Sequence, residues 1–400
     1  MAGNDDTRFS PATKLVISGR GPAADVVNPA VYRASTHLYP DCAALRARTA
    51  ENRDGRFFYG RRGGPTQWAL AEALTALEPG AAGTVLYPSG VAAIAGALLA
   101  VLRPGDVLLV TDNAYDPTRS MALGLLKRFE VEARFFDPLD PEGFADAFCD
   151  KTRAVMLESP GSLSMEVCDI PALAAIAREK GAVSLIDNTW ATSLGFCAIE
   201  HGCDIAIQAL TKHVGGHSDL MMGACTAGEA WYRRLRITSQ ELGHVVSPDD
   251  AALALRGLRS MQVRLRRSAA SALVIARWLD ARPEVAHVLC PMLPGSPGHD
   301  LWKRDFEEGC GLFTFVLAGR DDAARCRLID ALRLFGIGYS WGGFESLALP
   351  VDIGAVRKTM AWPPQSWRED DRYAIRLSIG LEDPDDLIAD LGRAFAALDS

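Results

Sequence analysis

The sequence predicts an α/β protein, with a mostly parallel central sheet in a large domain and a smaller α+β domain after it. Three observations lead there. From about residue 64, short apolar runs alternate with alanine-rich helical stretches. The runs are apolar at successive positions, so both strand faces are buried, as in a parallel sheet covered by helices on both sides. A long helical stretch at 249–282 then separates these elements from a second group of strands and helices.

Residues 1–63 carry Gly, Pro and Arg in irregular order, with one short helical stretch at "CAALRARTAEN", and read as an arm. The large domain is expected over 64–255. Its strands are "GTVLYPS" (83–89), "DVLLVTD" (106–112), "EARFFD" (132–137), "RAVMLES" (153–159), "AVSLIDN" (182–188) and "DIAIQALT" (204–211). Helical patterns such as "VAAIAGALLAVL", "TRSMALGLLKRF" and "IPALAAIAREK" lie between them. The second domain is expected over 256–400, with strands at "GLFTFVLAG" (311–319) and "AIRLSIGLE" (374–382). The basic stretch "RGLRSMQVRLRR" reads as a solvated or interface face of the long helix.

Composition narrows the function. The net charge of −8 argues against a nucleic-acid partner, which favours a basic face. The nine cysteines are scattered without a CxxC pair, so they read as reduced thiols of a cytoplasmic protein. No apolar signal core follows the polar N-terminus, and the longest apolar run, "GVAAIAGALLAVL", is too short to span a bilayer.

Ligands of open parallel sheets collect at the carboxyl ends of the strands, and the polar residues there carry the chemistry. Ser89 and Gly90 join a strand to a helix, an arrangement that points backbone N–H groups at an anion. Tyr115 follows the second strand, Asp187 ends the fifth, and Thr211 and Lys212 end the sixth. A buried carboxylate and a buried lysine need partners, and an Asp187–Lys212 ion pair is the simplest answer. Pyridoxal phosphate answers more of the pattern. Its aldehyde takes a lysine as a Schiff base, its ring nitrogen needs an aspartate, and its phosphate needs a helix N-terminus. His213 and His217 flank two glycines with no third ligand apparent, so no metal site is expected.

With these residues in place, the sequence resembles the pyridoxal-phosphate enzymes of transsulfuration, the Cys/Met metabolism family, over essentially the whole chain. The stretches that carry the resemblance include "FFYGRRGGPT", "YPSGVAAI", "TDNAYDPTR", "ESPGSLSMEV", "IDNTWAT", "TKHVGGHSDLMMG", "YSWGGFESL" and "IRLSIGLED". It implies fold-type I, the aspartate-aminotransferase-like architecture. It also implies roles: Lys212 as Schiff-base lysine and catalytic base, Asp187 on the pyridine nitrogen, and Tyr115 stacked on the ring. The N–H groups of Gly90 and Val91 and the Thr211 hydroxyl would hold the phosphate. Tyr59 and Arg61 would reach the phosphate of a neighbouring subunit, which implies a homo-oligomer, a dimer of dimers. Arg376 would clamp the substrate carboxylate, with Tyr339, Ser340 and Trp341 on the substrate side. Tyr59 and Tyr115 are further candidates to tune protonation. Many relatives carry a serine where this chain has Ala209, so one phosphate-binding hydroxyl is missing.

Within the family, "ESPGS", "DNTW" and "YSWGG" match the β-lyase variant, most like the bacterial enzymes that act on L-cystathionine. The expected reaction releases homocysteine, pyruvate and ammonia. A γ-lyase, a broad cysteine or cystine desulfhydrase, and a catalytically silent regulatory relative remain alternatives.

Overall fold

A computed structural model describes residues 9–20, 26–51, 55–368 and 371–398. Parts of the expected arm, 21–25 and 52–54 among them, lie outside the described residues. The large sheet has seven strands: β1 (Gly83–Tyr87), β2 (Val107–Thr111), β3 (Glu132–Phe136), β4 (Thr152–Glu158), β5 (Val183–Asp187), β6 (Ile205–Gln208) and β7 (Gly223–Ala227). Their order across the sheet is β1-β7-β6-β5-β4-β2-β3. The pairs from β6 to β3 are parallel, and β7 alone runs against its two neighbours. Six of these strands match the apolar runs. The seventh, "GACTA", has no large side chain to mark it, and neighbouring backbones draw it into the sheet.

Side chains alternate between two cores, one on each face of this sheet. Val107 and Leu109 enter one core and Leu108 and Val110 the other. Burial on both faces is the state that a continuous apolar strand requires.

The second sheet holds β8 (Val285–Leu289), β9 (Leu312–Leu317), β10 (Gly336–Ile337), β11 (Leu347–Val351) and β12 (Ala374–Ser378), ordered β10-β11-β12-β9-β8. All its pairs are antiparallel except β10 with β11. The helix Pro248–Asp280 joins the two units. Ser247 caps it by accepting from the Asp249 N–H at 3.1 Å, and Asp249 and Asp250 favour its positive end. Leu255, Leu258, Met261 and Leu265 pack into the large core, and Ala272, Ile275, Ala276 and Leu279 into the small one. A division at 255/256 therefore falls inside one continuous helix.

Arg256, Arg266 and Arg267 of this helix are exposed, as a solvated face requires, but two other arginines are not. Arg264 is turned inward and donates to the carbonyls of His213 at 2.8 Å and Gly257 at 2.7 Å. Burial brings its pKa down to about 10. Arg259 donates to the Ser18 carbonyl at 3.0 Å, which ties down the arm. Backbone carbonyl acceptors, invisible in the sequence, allow these two arginines to turn inward.

A second tie crosses between the units. Asp112, fully buried just after β2, accepts from the backbone N–H groups of Lys358, Thr359 and Met360 at 2.8–2.9 Å. Arg119 completes the site at 3.0 Å. Burial would raise the Asp112 pKa, but the three N–H donors and Arg119 outweigh it and hold the carboxyl below its ordinary value. Next to it, Arg357 pairs with Glu166 at 3.2 Å, both side chains buried. Asp112→Ala strands a buried guanidinium and three N–H groups. It is expected to destabilise the protein by about 3–5 kcal/mol, read as a lower denaturation midpoint, whereas an unchanged midpoint would show that the tie contributes nothing.

Candidate active site

A cavity of about 320 Å³ opens at the carboxyl ends of β4, β5 and β6 and is closed on one side by the second sheet. Its lining includes Gly90, Val91, Tyr115, Glu158, Asp187, Thr211, Lys212, Tyr339, Ser340, Trp341 and Arg376. Ten of the twelve residues singled out in the sequence thus meet in one place. Tyr59 and Arg61 do not. Tyr59 is exposed on the arm, and Arg61 donates to the Gln240 carbonyl at 2.6 Å, beside other cavities.

Lys212 makes its hydrogen bond to Ser340, with Nζ donating to Oγ at 2.8 Å. Asp187 is engaged elsewhere. Its Oδ1 accepts from the Thr189 N–H at 3.0 Å and the Thr189 hydroxyl at 2.5 Å, and Thr189 Oγ1 in turn accepts from the Ala209 N–H at 2.9 Å. The simple ion pair is therefore not what satisfies Lys212. Among the described residues Asp187 Oδ2 has no hydrogen-bond partner, and Asp187 borders the cavity. Burial raises the Asp187 pKa, and the Thr189 bonds and Lys212 oppose the rise. Burial, reinforced by the positive Arg376, brings Lys212 down to about 8. A substantial share of the amine is then neutral near pH 8, the form that can act as nucleophile or base.

Arg376 lies at the centre of β12 and donates from Nη2 to the Ser340 carbonyl at 3.1 Å. No carboxylate pairs with it among the described residues. A mostly buried guanidinium without a counter-ion is an anion site, and its remaining N–H groups suit a carboxylate. Ser340 thus links the two cations, its hydroxyl to Lys212 and its carbonyl to Arg376. It does so at φ 79°, in the left-handed region, a conformation costing on the order of 1–3 kcal/mol for such a residue.

At the other end, Ser89 Oγ caps the helix Gly90–Val101 by accepting from the Ala92 N–H at 3.1 Å. This leaves the Gly90 and Val91 N–H groups without partners in the helix. Gly90 is required by close approach, because a Cβ there would lie 2.7 Å from the Ala209 Cβ. The Thr211 hydroxyl borders the same end and is shared with the backbone of Met222, accepting from its N–H at 3.0 Å.

Trp341 is placed with Lys212 Nζ 5.3 Å from its ring centroid. His213 packs edge-on against the same ring, centroids 5.3 Å apart. Burial, together with Arg264, pushes the His213 pKa down to about 3, so it stays neutral. His217 faces Phe344, and the described residues hold no group of three or more His, Cys, Asp or Glu that could bind a metal. Trp190 is nearly buried and donates its indole N–H to the Leu312 carbonyl at 3.2 Å.

Sequence reasoning missed Glu158. It ends β4 directly beside Asp187 in the register of β4 and β5, and its Oε2 accepts from the Tyr115 N–H at 2.7 Å. An acid closing the apolar run "AVMLE" was its only signal.

The arrangement fits pyridoxal phosphate. Unpartnered helix N–H groups suit its phosphate, the free Asp187 oxygen suits its ring nitrogen, and a partly neutral lysine suits its aldehyde. Comparison with known proteins agrees. The family model described as Cys/Met metabolism PLP-dependent enzyme matches residues 12–396. The chain belongs to this family. It is a pyridoxal-phosphate-dependent lyase of fold-type I. The cystathionine beta-lyase of Escherichia coli is 41% identical over 394 residues, 96% of this chain and 98% of that one. The L-methionine gamma-lyase of Pseudomonas putida is 33% identical over 395 residues, 96% of this chain and 97% of that one. A solved structure of cystathionine gamma synthase from Xanthomonas oryzae pv. oryzae superposes with a TM-score of 0.87 at 31% identity, covering 98% of this chain and 99% of that one.

Two outcomes follow for cofactor binding. Capture of pyridoxal phosphate by the apoprotein should rise with pH through about 8, as the Lys212 amine loses its proton, and a flat profile would contradict the lowered pKa. Ala209→Ser adds a hydroxyl next to the Gly90 N-terminus and should tighten cofactor binding roughly five- to tenfold in an apoprotein titration. Unchanged affinity would show that the phosphate lies elsewhere.

Proposed function

We propose that the chain is a carbon–sulfur β-lyase that converts L-cystathionine and water to homocysteine, pyruvate and ammonia. The observation that carries the reading is the Lys212 amine, 2.8 Å from Ser340 Oγ and in one cavity with the unpaired Arg376. Arg376 binds the substrate α-carboxylate through its free N–H groups while the Ser340 carbonyl fixes its orientation. Lys212 Nζ, when neutral, takes the Cα proton. Bound pyridoxal phosphate supplies the electron sink that makes this proton removable. The Cβ–S bond breaks, and the protonated Lys212 returns its proton to the departing sulfur. The enamine left behind hydrolyses in water to pyruvate and ammonia. Ser340 Oγ holds Nζ within reach of both positions, which restricts the amine to a short path.

The cofactor contacts in this reading are those of Asp187, Tyr115, Gly90, Val91 and Thr211, all of which border the cavity. Tyr339 and Trp341 form the substrate wall. Tyr59 and Arg61 complete the phosphate site of a second copy, in a homotetramer built as a dimer of dimers. The exposure of Tyr32, Leu38, Phe57 and Tyr59 along the arm supports this, since such an apolar surface suits a partner chain. Among the described residues, no helix is long and apolar enough to cross a membrane, in keeping with a cytoplasmic place for the reaction.

The choice of β over γ cleavage is supported by the Escherichia coli relative and by Trp190 and Trp341 in the cavity wall. The γ-lyase and γ-synthase relatives share the fold, so the products must discriminate. Incubation with L-cystathionine should give pyruvate and homocysteine. 2-Oxobutyrate with cysteine would put the cut at the γ carbon and overturn the reading. Lys212→Ala should lower turnover by about a thousandfold or more, and retention of most activity would remove its role as base. Arg376→Ala should raise KM for the amino acid roughly 30- to 150-fold, whereas an unchanged KM would remove the clamp.

A further inference from the structure

We propose that Glu158 is a positioning residue, which fixes the Tyr115 ring over the cofactor site by holding the Tyr115 backbone N–H at the end of β4. The inference rests on the reading that Tyr115 stacks on the cofactor ring. Tyr115 sits at the N-cap of the helix Asp116–Met121 and makes no side-chain capping bond. Its carbonyl accepts from the Thr118 N–H at 2.9 Å and the Arg119 N–H at 3.1 Å, which ties it to its own helix only. Tyr115 is 40% exposed and lines the cavity. The bond to Glu158 Oε2, at 2.7 Å, is the tie from Tyr115 to the strands that carry Asp187 and Lys212. The peptide N–H sits next to the Cα–Cβ bond, so fixing it fixes the point and direction from which the ring projects into the cavity.

Glu158 is unlike an ordinary structural acid. Among the described residues no cation forms an ion pair with it, Arg357 acting only at longer range, and its register neighbour is another acid, Asp187. Burial holds the Glu158 carboxyl well above its ordinary pKa, with the charge of Asp187 adding to the effect. Two adjacent buried carboxyls do not both ionise readily, and Asp187 has the better support, from Thr189 and Lys212. Glu158 therefore serves as a neutral acceptor and leaves Asp187 as the negative charge facing the ring nitrogen. An amide can do the same work, which separates this role from one that needs a carboxylate.

The test compares Glu158→Gln, Glu158→Leu and Tyr115→Leu with the unaltered protein. The readouts are cofactor affinity from apoprotein titration and visible circular dichroism per bound cofactor, which reports the asymmetry around the ring. Glu158→Gln should match the unaltered protein within about twofold. Glu158→Leu should lose roughly tenfold in affinity and much of the visible signal, as Tyr115→Leu does. If Tyr115→Leu changes both readouts and Glu158→Leu changes neither, the positioning role is wrong while stacking stands. If Tyr115→Leu itself changes nothing, the stacking reading fails, and the role of Glu158 with it. Should Glu158→Leu fail to fold, Glu158→Ala takes its place. A folded Glu158→Gln with tenfold weaker binding overturns the proposal on its own.

Discussion

A lysine cannot be buried without a partner, and the whole site is arranged around how this chain satisfies Lys212. The partner is a neutral hydroxyl from the loop between β10 and β11, with Asp187 acting only at longer range. A contact ion pair would hold the amine protonated and immobile. A hydroxyl holds it in place yet leaves its proton labile, and the nearby Arg376 favours the neutral form. Ser340 accepts an unfavourable backbone conformation to make this link and to hold Arg376 with its carbonyl. Lys212 and Arg376 are thus bonded to the same residue, which in the proposed reaction sets the distance between proton removal and substrate anchoring.

That link is useful only if the two sheets keep a constant relation. The helix Pro248–Asp280 belongs to both cores, so neither unit can rotate without unpacking it. Asp112 secures the other side by binding the chain at 358–360. Three residues beyond Asp112 stands Tyr115, so the tie between units also anchors the loop that carries the aromatic wall. Arg264 reaches from the long helix to the carbonyl of His213, next to Lys212. Stability and chemistry are served by the same buried polar groups. Asp112 and Arg264 are held largely by backbone donors and acceptors, which keeps their geometry fixed.

The charge pattern of the cavity matches an amino-acid reaction with an anionic cofactor. Lys212 and Arg376 supply the positive charge, and the helix Gly90–Val101 adds its positive end. In the proposed reading Asp187 supplies the counter-charge to the ring nitrogen, and burial pushes the carboxyl of Glu158 beside it well above its ordinary pKa. The wall formed by Trp190, Trp341, Leu163 and Met165 is apolar and suits the thioether portion of a sulfur amino acid. A relative named as a β-lyase, one named as a γ-lyase and a solved γ-synthase all align with nearly the whole chain, so the shared frame alone does not select between β and γ cleavage.

The sequence by itself determined the layered α/β architecture, six strands of the large sheet, and the residues at their ends. Those features rest on local periodicity, because a strand buried on both faces must be apolar throughout, and a polar residue that ends it must face a site. Asp187, Lys212 and Tyr115 were legible for that reason, whereas Arg376, at the centre of its strand, was marked only by the family resemblance. Tertiary structure alone decided the partner of Lys212, which lies 128 positions away, and the tie of Asp112 to a backbone 246 positions away. It also turned Arg264 inward, drew the small residues of β7 into the sheet, and joined Glu158 to Tyr115 across 43 positions. Backbone N–H and carbonyl groups make most of these contacts. Every residue but proline carries both groups, so no local pattern of side chains records which ones will meet.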